Sequence, residues 1–236
     1  MFDGHYYEWR ARRVRKAIKI IGLSRMARSH VLELGCGYGD IGIALWQVGA
    51  IVTFSDARQE HLDELMLRYP DIASDERVLQ IDQETPWSLN QRFDLVIHFG
   101  LLYHLRNWRL SLDRSLAHSD AMLLETEVAD SDDPSVEVTV SEEGYDQAFG
   151  GHGSRPSAAA IEGYLRQKGC HFVRFDDARL NSTFHRYDWV VRNTKEHPHG
   201  LRRFWLVCRS PLYLPYVKHR WFRKRGWRSA QLIGQS

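Results

Sequence analysis

The chain predicts an α/β fold: a doubly wound, mainly parallel seven-stranded sheet whose last strand runs antiparallel. Three observations lead there. Apolar runs of strand length alternate with segments of helical periodicity. The first of those runs ends in a glycine-rich turn at Gly35, Gly37 and Gly39, with helix-compatible sequence beyond it. Two later runs end in carboxylates, Asp56 and Asp82, where strands of such sheets meet a ligand crevice.

Taken in order, residues 5–22 read as a basic amphipathic helix with Trp9, Val14, Ala17, Ile18 and Ile21 available for one face. Strand 31–35, helix 39–48, strand 51–55, helix 58–69 and strand 78–81 follow. Strand 93–97, helix 107–117 and strand 121–126 complete the alternation, which implies right-handed crossovers. Asp56 stands where it can cap the helix after it. After Glu125 the regularity breaks. Residues 127–155 carry acids and the run Gly150-Gly151-His152-Gly153, too long for an ordinary connection and suited to a lid or substrate loop. A helix is predicted over 156–168 with Pro156 in its first turn, then a strand over 171–175. The segments 186–192 and 202–209 are expected to form a closing antiparallel hairpin through the polar stretch 193–200.

The chemistry concentrates at residues 31–42, Val-Leu-Glu-Leu-Gly-Cys-Gly-Tyr-Gly-Asp-Ile-Gly. Glycines there permit a tight turn and close approach of a ligand, and the next helix offers its free N–H groups. Gly37, Gly39 and Gly42 satisfy the dinucleotide pattern G-x-G-x-x-G, a weak signal alone. In that fold the first glycine of the pattern closes the strand, whereas here Gly35 already does so and Glu33 precedes it by two. The spacing Glu-x-Gly-x-Gly-x-Gly resembles the first motif of class I S-adenosylmethionine-dependent methyltransferases. The resemblance implies a Rossmann-like methyltransferase fold and S-adenosyl-L-methionine as cofactor, with S-adenosyl-L-homocysteine as product. A carboxylate at the strand end suits a cationic ammonium and sulfonium better than a pyrophosphate. Asp56, with Ala57 beside it, follows the glycine loop by about 20 residues, the place for contacts to ribose hydroxyls. By resemblance Asp82 is the partner of the adenine amino group, with Gln83 a second candidate. The stretch His98-Phe99-Gly100-Leu101-Leu102-Tyr103-His104 looks like the family's fourth motif, bordering the transferred methyl through Phe99 and Gly100. Cys36 reads as a small side chain packed inside the loop. The resemblance divides the chain into a helical cap over 1–28, a methyltransferase domain over 29–210 with its insertion at 127–155, and a tail over 211–236.

Composition agrees with one soluble enzyme. At 236 residues a sizeable core is affordable, 43% of residues are hydrophobic, and no apolar run approaches the roughly 20 residues of a membrane span. The N-terminus lacks the layout of a secretion signal. Cys36, Cys170 and Cys208 are too scattered for a disulfide framework or metal knuckle, so a cytoplasmic setting is expected. No spacing of His, Asp or Glu demands a metal.

Methyl transfer to oxygen calls for positioning and a base, and histidine is the common base near neutral pH. Among twelve histidines, His104 is singled out by its place beside the methyl group, and His185 by the cluster Phe184-His185-Arg186-Tyr187-Asp188-Trp189. A histidine at 104 can equally bond a backbone carbonyl, and aromatics around 185 can simply be core. Tyr103, Tyr145, His152, Arg155 and Tyr187 are acceptor-contact candidates. Charge is uneven: residues 197–236 hold nine Lys/Arg and no acid, leaving 23 bases against 30 acids before them. Residues 216–228 interleave those cations with Trp, Phe and Tyr, which suits an anionic membrane surface or RNA, and equally a solvated extension. A small-molecule or saccharide hydroxyl is the first acceptor reading, an RNA base the second, and a non-enzymatic cofactor-binding module the third.

Overall fold

Val31, Leu32, Glu33 and Leu34 are buried without interruption, and the sheet grows outward from them in both directions. The structure is a computed structural model that describes residues 5–73, 77–144, 147–194, 198 and 200–211. Its strands are β1 (His30–Leu34), β2 (Ile51–Asp56), β3 (Val78–Gln80), β4 (Leu95–Phe99), β5 (Ala121–Glu127), β6 (Glu137–Ser141), β7 (His152–Pro156), β8 (His171–Arg174) and β9 (Arg202–Cys208). Its α-helices are α1 (His5–Ile21), α2 (Leu23–Met26), α3 (Asp40–Trp46), α4 (Gln59–Arg68), α5 (Pro70–Ala73), α6 (Trp108–His118) and α7 (Ala158–Gln167).

Seven strands make one sheet in the order β3-β2-β1-β4-β5-β9-β8. β1 pairs in parallel with β2 and β4, so the winding reverses at β1 and leaves a crevice beyond its carboxyl end. β4, β5 and β9 are buried at every residue, as strands covered on both faces must be. One face packs Ala17 and Ile20 of α1, Ile43 of α3 and Leu65 of α4 in its core. The other packs Trp108 and Leu112 of α6 and Ile161 and Leu165 of α7. The α/β, doubly wound architecture is as the sequence predicts.

Details differ. The antiparallel partner of 202–208 is not 186–192 but β5 on one side and β8 on the other. The main chain of residues 186–192 pairs with the sheet through the bridge Arg186–Leu201. Both edges of β9 are already taken. Side chains take up part of the main chain of 187–192 instead: Arg203 donates to the carbonyls of Tyr187 (2.7 Å) and Trp189 (3.2 Å), and Asp130 accepts from the Arg192 amide (2.9 Å). The described part of the insertion 127–155 is built around the β6–β7 hairpin, paired from Glu137–Pro156 to Ser141–His152. Pro156 ends β7 rather than starting a helix, and Ser157 is the cap of α7, its hydroxyl accepting the Ala160 amide at 3.0 Å. Asp56 does not cap α4 either, because the cap position is Arg58. Residues 211–236, apart from residue 211, lie outside the described residues, and with them the basic stretch 216–228. Among the described residues no helix is long and apolar enough to cross a membrane.

Trp205 shows how β9 joins the layers: its indole is fully buried and donates to Glu162 of α7 at 3.1 Å. Trp205→Ala is expected to cost about 3–5 kcal/mol, read as a lower urea midpoint at unchanged slope.

Candidate functional site

The turn after β1 is possible because three of its residues lack a Cβ. Gly35, Gly37 and Gly39 have φ of 63°, 53° and 80°, a region in which other L-residues are strained. The Cys36 amide donates to the Ser55 carbonyl (2.9 Å) and the Gly37 amide to Asp56 Oδ2 (2.8 Å), so the loop is tied to the end of β2. Asp56 also accepts the Arg58 amide at 3.0 Å and lies 3.3 Å from His61. Against its burial, His61 and the amides of Arg58 and Gly37 hold its carboxyl below the usual range.

Glu33 is the opposite case. It is 3% exposed, and one of its oxygens is buried with no hydrogen-bond partner among the described residues. Burial pushes its carboxyl up to about 8. Gly42 makes room for it, since a Cβ there would overlap the Glu33 carboxylate and the Phe54 ring. A carboxyl held this way stays protonated near neutral pH in the ligand-free protein and ionises when a cation arrives beside it.

Glu33 opens onto a crevice at the carboxyl ends of β1, β2 and β4. Gly35, Cys36, Gly37, Asp56, Ala57, Asp82, Gln83, Phe99 and Gly100 line it as well. Gly39 does not; it opens α3 against Leu65. The crevice is roofed by Tyr6, Trp9 and Arg10 of α1 and by Gln147, Phe149 and Gly150 of the insertion. Trp9 covers Gly100 so closely that a Cβ there would lie 2.9 Å from the indole. Arg10 pairs with Asp40 at 2.7 Å. Arg58 donates to the Gln147 carbonyl at 2.8 Å and lies 5.5 Å from the Phe149 ring, joining the insertion to the β2 side.

Gln83 is oriented from behind. The indole of Trp87 can only donate, and it meets Gln83 Oε1 at 3.2 Å. The Ser111 hydroxyl donates to the same oxygen at 3.0 Å, and His98 Nε2 stands 2.9 Å from that hydroxyl. With the Ser111 proton committed, His98 donates; burial lowers its pKa to about 4 and keeps the ring neutral. Gln83 therefore offers its NH2, buried and without a partner among the described residues, and cannot accept from an amino group as the sequence reading had it.

At the other end of the crevice stand Tyr103 and His104, on the 3₁₀ turn Leu102–His104. His104 Nδ1 contacts Glu142, which also accepts the Ala148 amide (3.0 Å) and pairs with Arg155. Burial lowers the His104 pKa, opposed by Glu142. Arg155, expected to touch an acceptor, is buried behind the site, donating to the Tyr103 carbonyl at 3.0 Å and pairing with Glu127 at 3.2 Å. His185 does not line the crevice: it is buried with Ser182 at 2.9 Å and packs on Tyr6 and Trp9. Tyr187 is fully buried and donates to Glu125 at 2.7 Å. His152 is exposed at the start of β7, away from the crevice. Tyr145 lies outside the described residues. Glu142 was missed by the sequence reading, which has no signal separating it from Glu143. Among the described residues no group of three His, Cys, Asp or Glu could hold a metal.

A family model described as a methyltransferase domain matches residues 6–175, most of the chain and all of the crevice strands. The chain belongs to the methyltransferase domain family. It falls in the S-adenosylmethionine-dependent class I group that its glycine loop resembles. Among solved structures, the N-terminal domain of EvdMO1, crystallised in the presence of SAH and D-fucose, is 20% identical with a TM-score of 0.61, over 85% of this chain and 82% of that one. Magnesium protoporphyrin IX methyltransferase (ChlM) from Synechocystis PCC 6803, with bound SAM, is 16% identical with a TM-score of 0.54, over 84% and 78%. The glycopeptide N-methyltransferase MtfA is 15% identical with a TM-score of 0.54, over 84% and 89%. At such identities the shared property is the fold. No curated protein matches this methyltransferase in sequence.

The Glu33 carboxyl links stability to pH. With a native pKa near 8 against an ordinary 4.5, the folded state keeps a proton that the unfolded state releases. Stability of the ligand-free protein should then fall as pH rises from 4.5 toward 8 and level off above. Glu33→Gln is expected to flatten that decline, measured as urea midpoints at pH 5 and pH 8.

Proposed function

We propose that this methyltransferase transfers the methyl group of S-adenosylmethionine to an oxygen of a small-molecule or saccharide acceptor, with His104 as general base. The crevice fits the donor by its own chemistry. Glu33 gives up its proton to solvent and pairs as a carboxylate with the methionine ammonium, and Gly35 and Gly37, which lack a Cβ, leave room for the chain against the backbone. Asp56 and Ala57 hold the ribose, and Asp82 with the NH2 of Gln83 meets the adenine. When bound, the donor supplies an electrophilic methyl on a sulfonium.

The remaining work falls to residues at the Tyr103–His104 end. One observation carries the oxygen reading: His104 lines the crevice with Nδ1 engaged by Glu142, so its lone pair is on Nε2. An acceptor hydroxyl at Nε2 loses its proton to the ring as the oxygen gains the methyl, and the imidazolium is stabilised by Glu142. Tyr6, Trp9, Tyr103 and Phe149 give the crevice flat, apolar walls suited to the face of a sugar or a ring. The similar EvdMO1 domain, crystallised in the presence of D-fucose, supports a saccharide acceptor. His185, Arg155 and Tyr187 support the walls from behind.

Turnover of a panel of hydroxylated sugars and phenols with labelled S-adenosylmethionine tests the acceptor class. An RNA acceptor would instead show binding that weakens steeply with salt and depends on residues 216–228. His104→Gln is expected to lower kcat by about 10²–10⁴-fold while leaving S-adenosylhomocysteine affinity unchanged in calorimetry. Because burial lowers the His104 pKa, activity should hold down to below pH 6.5 and be lost at lower pH as the ring protonates.

A further inference from the structure

Glu142 is a buried carboxylate contributed by the insertion, not by the sheet. Its amide donates to the Gly151 carbonyl at 2.8 Å, extending the β6–β7 ladder by one pair. Its side chain turns inward to the 3₁₀ turn that carries His104. One oxygen takes both His104 Nδ1 and the Ala148 amide (3.0 Å), and the other pairs with Arg155. Arg155 is fixed in turn by Glu127 and by the Tyr103 carbonyl. β7 can approach this closely because Gly153 has no side chain: a Cβ there would overlap the Tyr103 carbonyl oxygen.

We infer that Glu142 is a positioning residue, holding His104 in the Nδ1–H tautomer with a bare Nε2 toward the acceptor. The inference rests on the reading of His104 as the base and adds where its orientation comes from. An ionised carboxylate only accepts, so its contact with Nδ1 selects the tautomer protonated there. The charged groups acting on the ring are Glu142, Arg155 and Arg202, and the Tyr103 ring lies 4.0 Å away, tilted by 41°. Glu142 is the acid among them that touches the imidazole, and it stabilises the imidazolium that the two arginines disfavour. The Ala148 amide shares the same oxygen, and Gln147 is held by Arg58 across the crevice. Seating of the insertion and orientation of the base are therefore one event.

The test uses the full-length protein labelled with nitrogen-15 at histidine, with His104→Gln identifying the His104 signals. In the native protein at neutral pH the His104 Nε2 should resonate as an unprotonated nitrogen and Nδ1 as a protonated one. Glu142→Ala should give mixed tautomers and lower kcat by at least about tenfold, with S-adenosylhomocysteine affinity within twofold of native. Glu142→Gln can still accept from Nδ1–H, so the tautomer should return while kcat recovers only in part. The acid limb of kcat should then lie at lower pH, because the carboxylate's support of the imidazolium is gone. An Nε2–H ring in the native protein overturns the assignment without any variant. So does a Glu142→Ala protein whose His104 signals and kcat are native. Failure of the base reading shows differently, as native kcat in His104→Gln whatever the tautomer.

Discussion

Glu125 is the charge on which the other parts of the active end are assembled. It sits fully buried on β5 and pairs with Arg13 from α1 and Arg202 from β9. It also accepts the Tyr187 hydroxyl (2.7 Å) and the Gly100 amide (3.1 Å). A carboxylate at that depth is tolerated only when its oxygens are satisfied, and removal of a single partner leaves a buried charge exposed to a poor environment. The cap helix, the sheet, the turn after β4 and the 187 segment are thus held by one ion. Burial draws the Arg13 pKa down to about 10, which still leaves it charged at neutral pH and able to serve.

From that centre the polar network runs toward the Tyr103–His104 end of the crevice. Arg202 donates to the Tyr103 hydroxyl at 3.0 Å and approaches Glu127 at 3.7 Å. Glu127 meets Arg155, and Arg155 meets Glu142 and the carbonyl of Tyr103. Trp9 is packed into the same assembly, 3.1 Å above Arg13. The Glu33 end of the crevice is organised differently, with backbone amides held by Asp56 and a buried carboxyl, Glu33, one oxygen of which has no hydrogen-bond partner among the described residues.

Much of this was legible in the chain because it is local. Each strand that builds the crevice is an apolar run, and each carboxylate at a strand end has its place set by the alternation of elements. Nearly every residue that the sequence reading put at the donor lines the crevice, since a glycine loop and a strand terminus carry their geometry with them. The readings that moved were those about side chains meeting from distant segments. His185 and Tyr187 carry the residue types of a catalytic cluster, yet sequence does not tell which face of an irregular segment is buried. The closing strand pair was misjudged for a related reason: the edge of β9 was open to two segments, and β8 took it.

Sequence alone determined the α/β class, the glycine turn and the carboxylates aligned with it, because backbone freedom at glycine and hydrophobic periodicity act within a few residues. Tertiary structure decided which histidine reaches the crevice, which acid touches it and which way the Gln83 amide faces. Those depend on contacts across 38 residues from His104 to Glu142 and 28 from Gln83 to Ser111, where only packing sets distance. Chain order has no term for that.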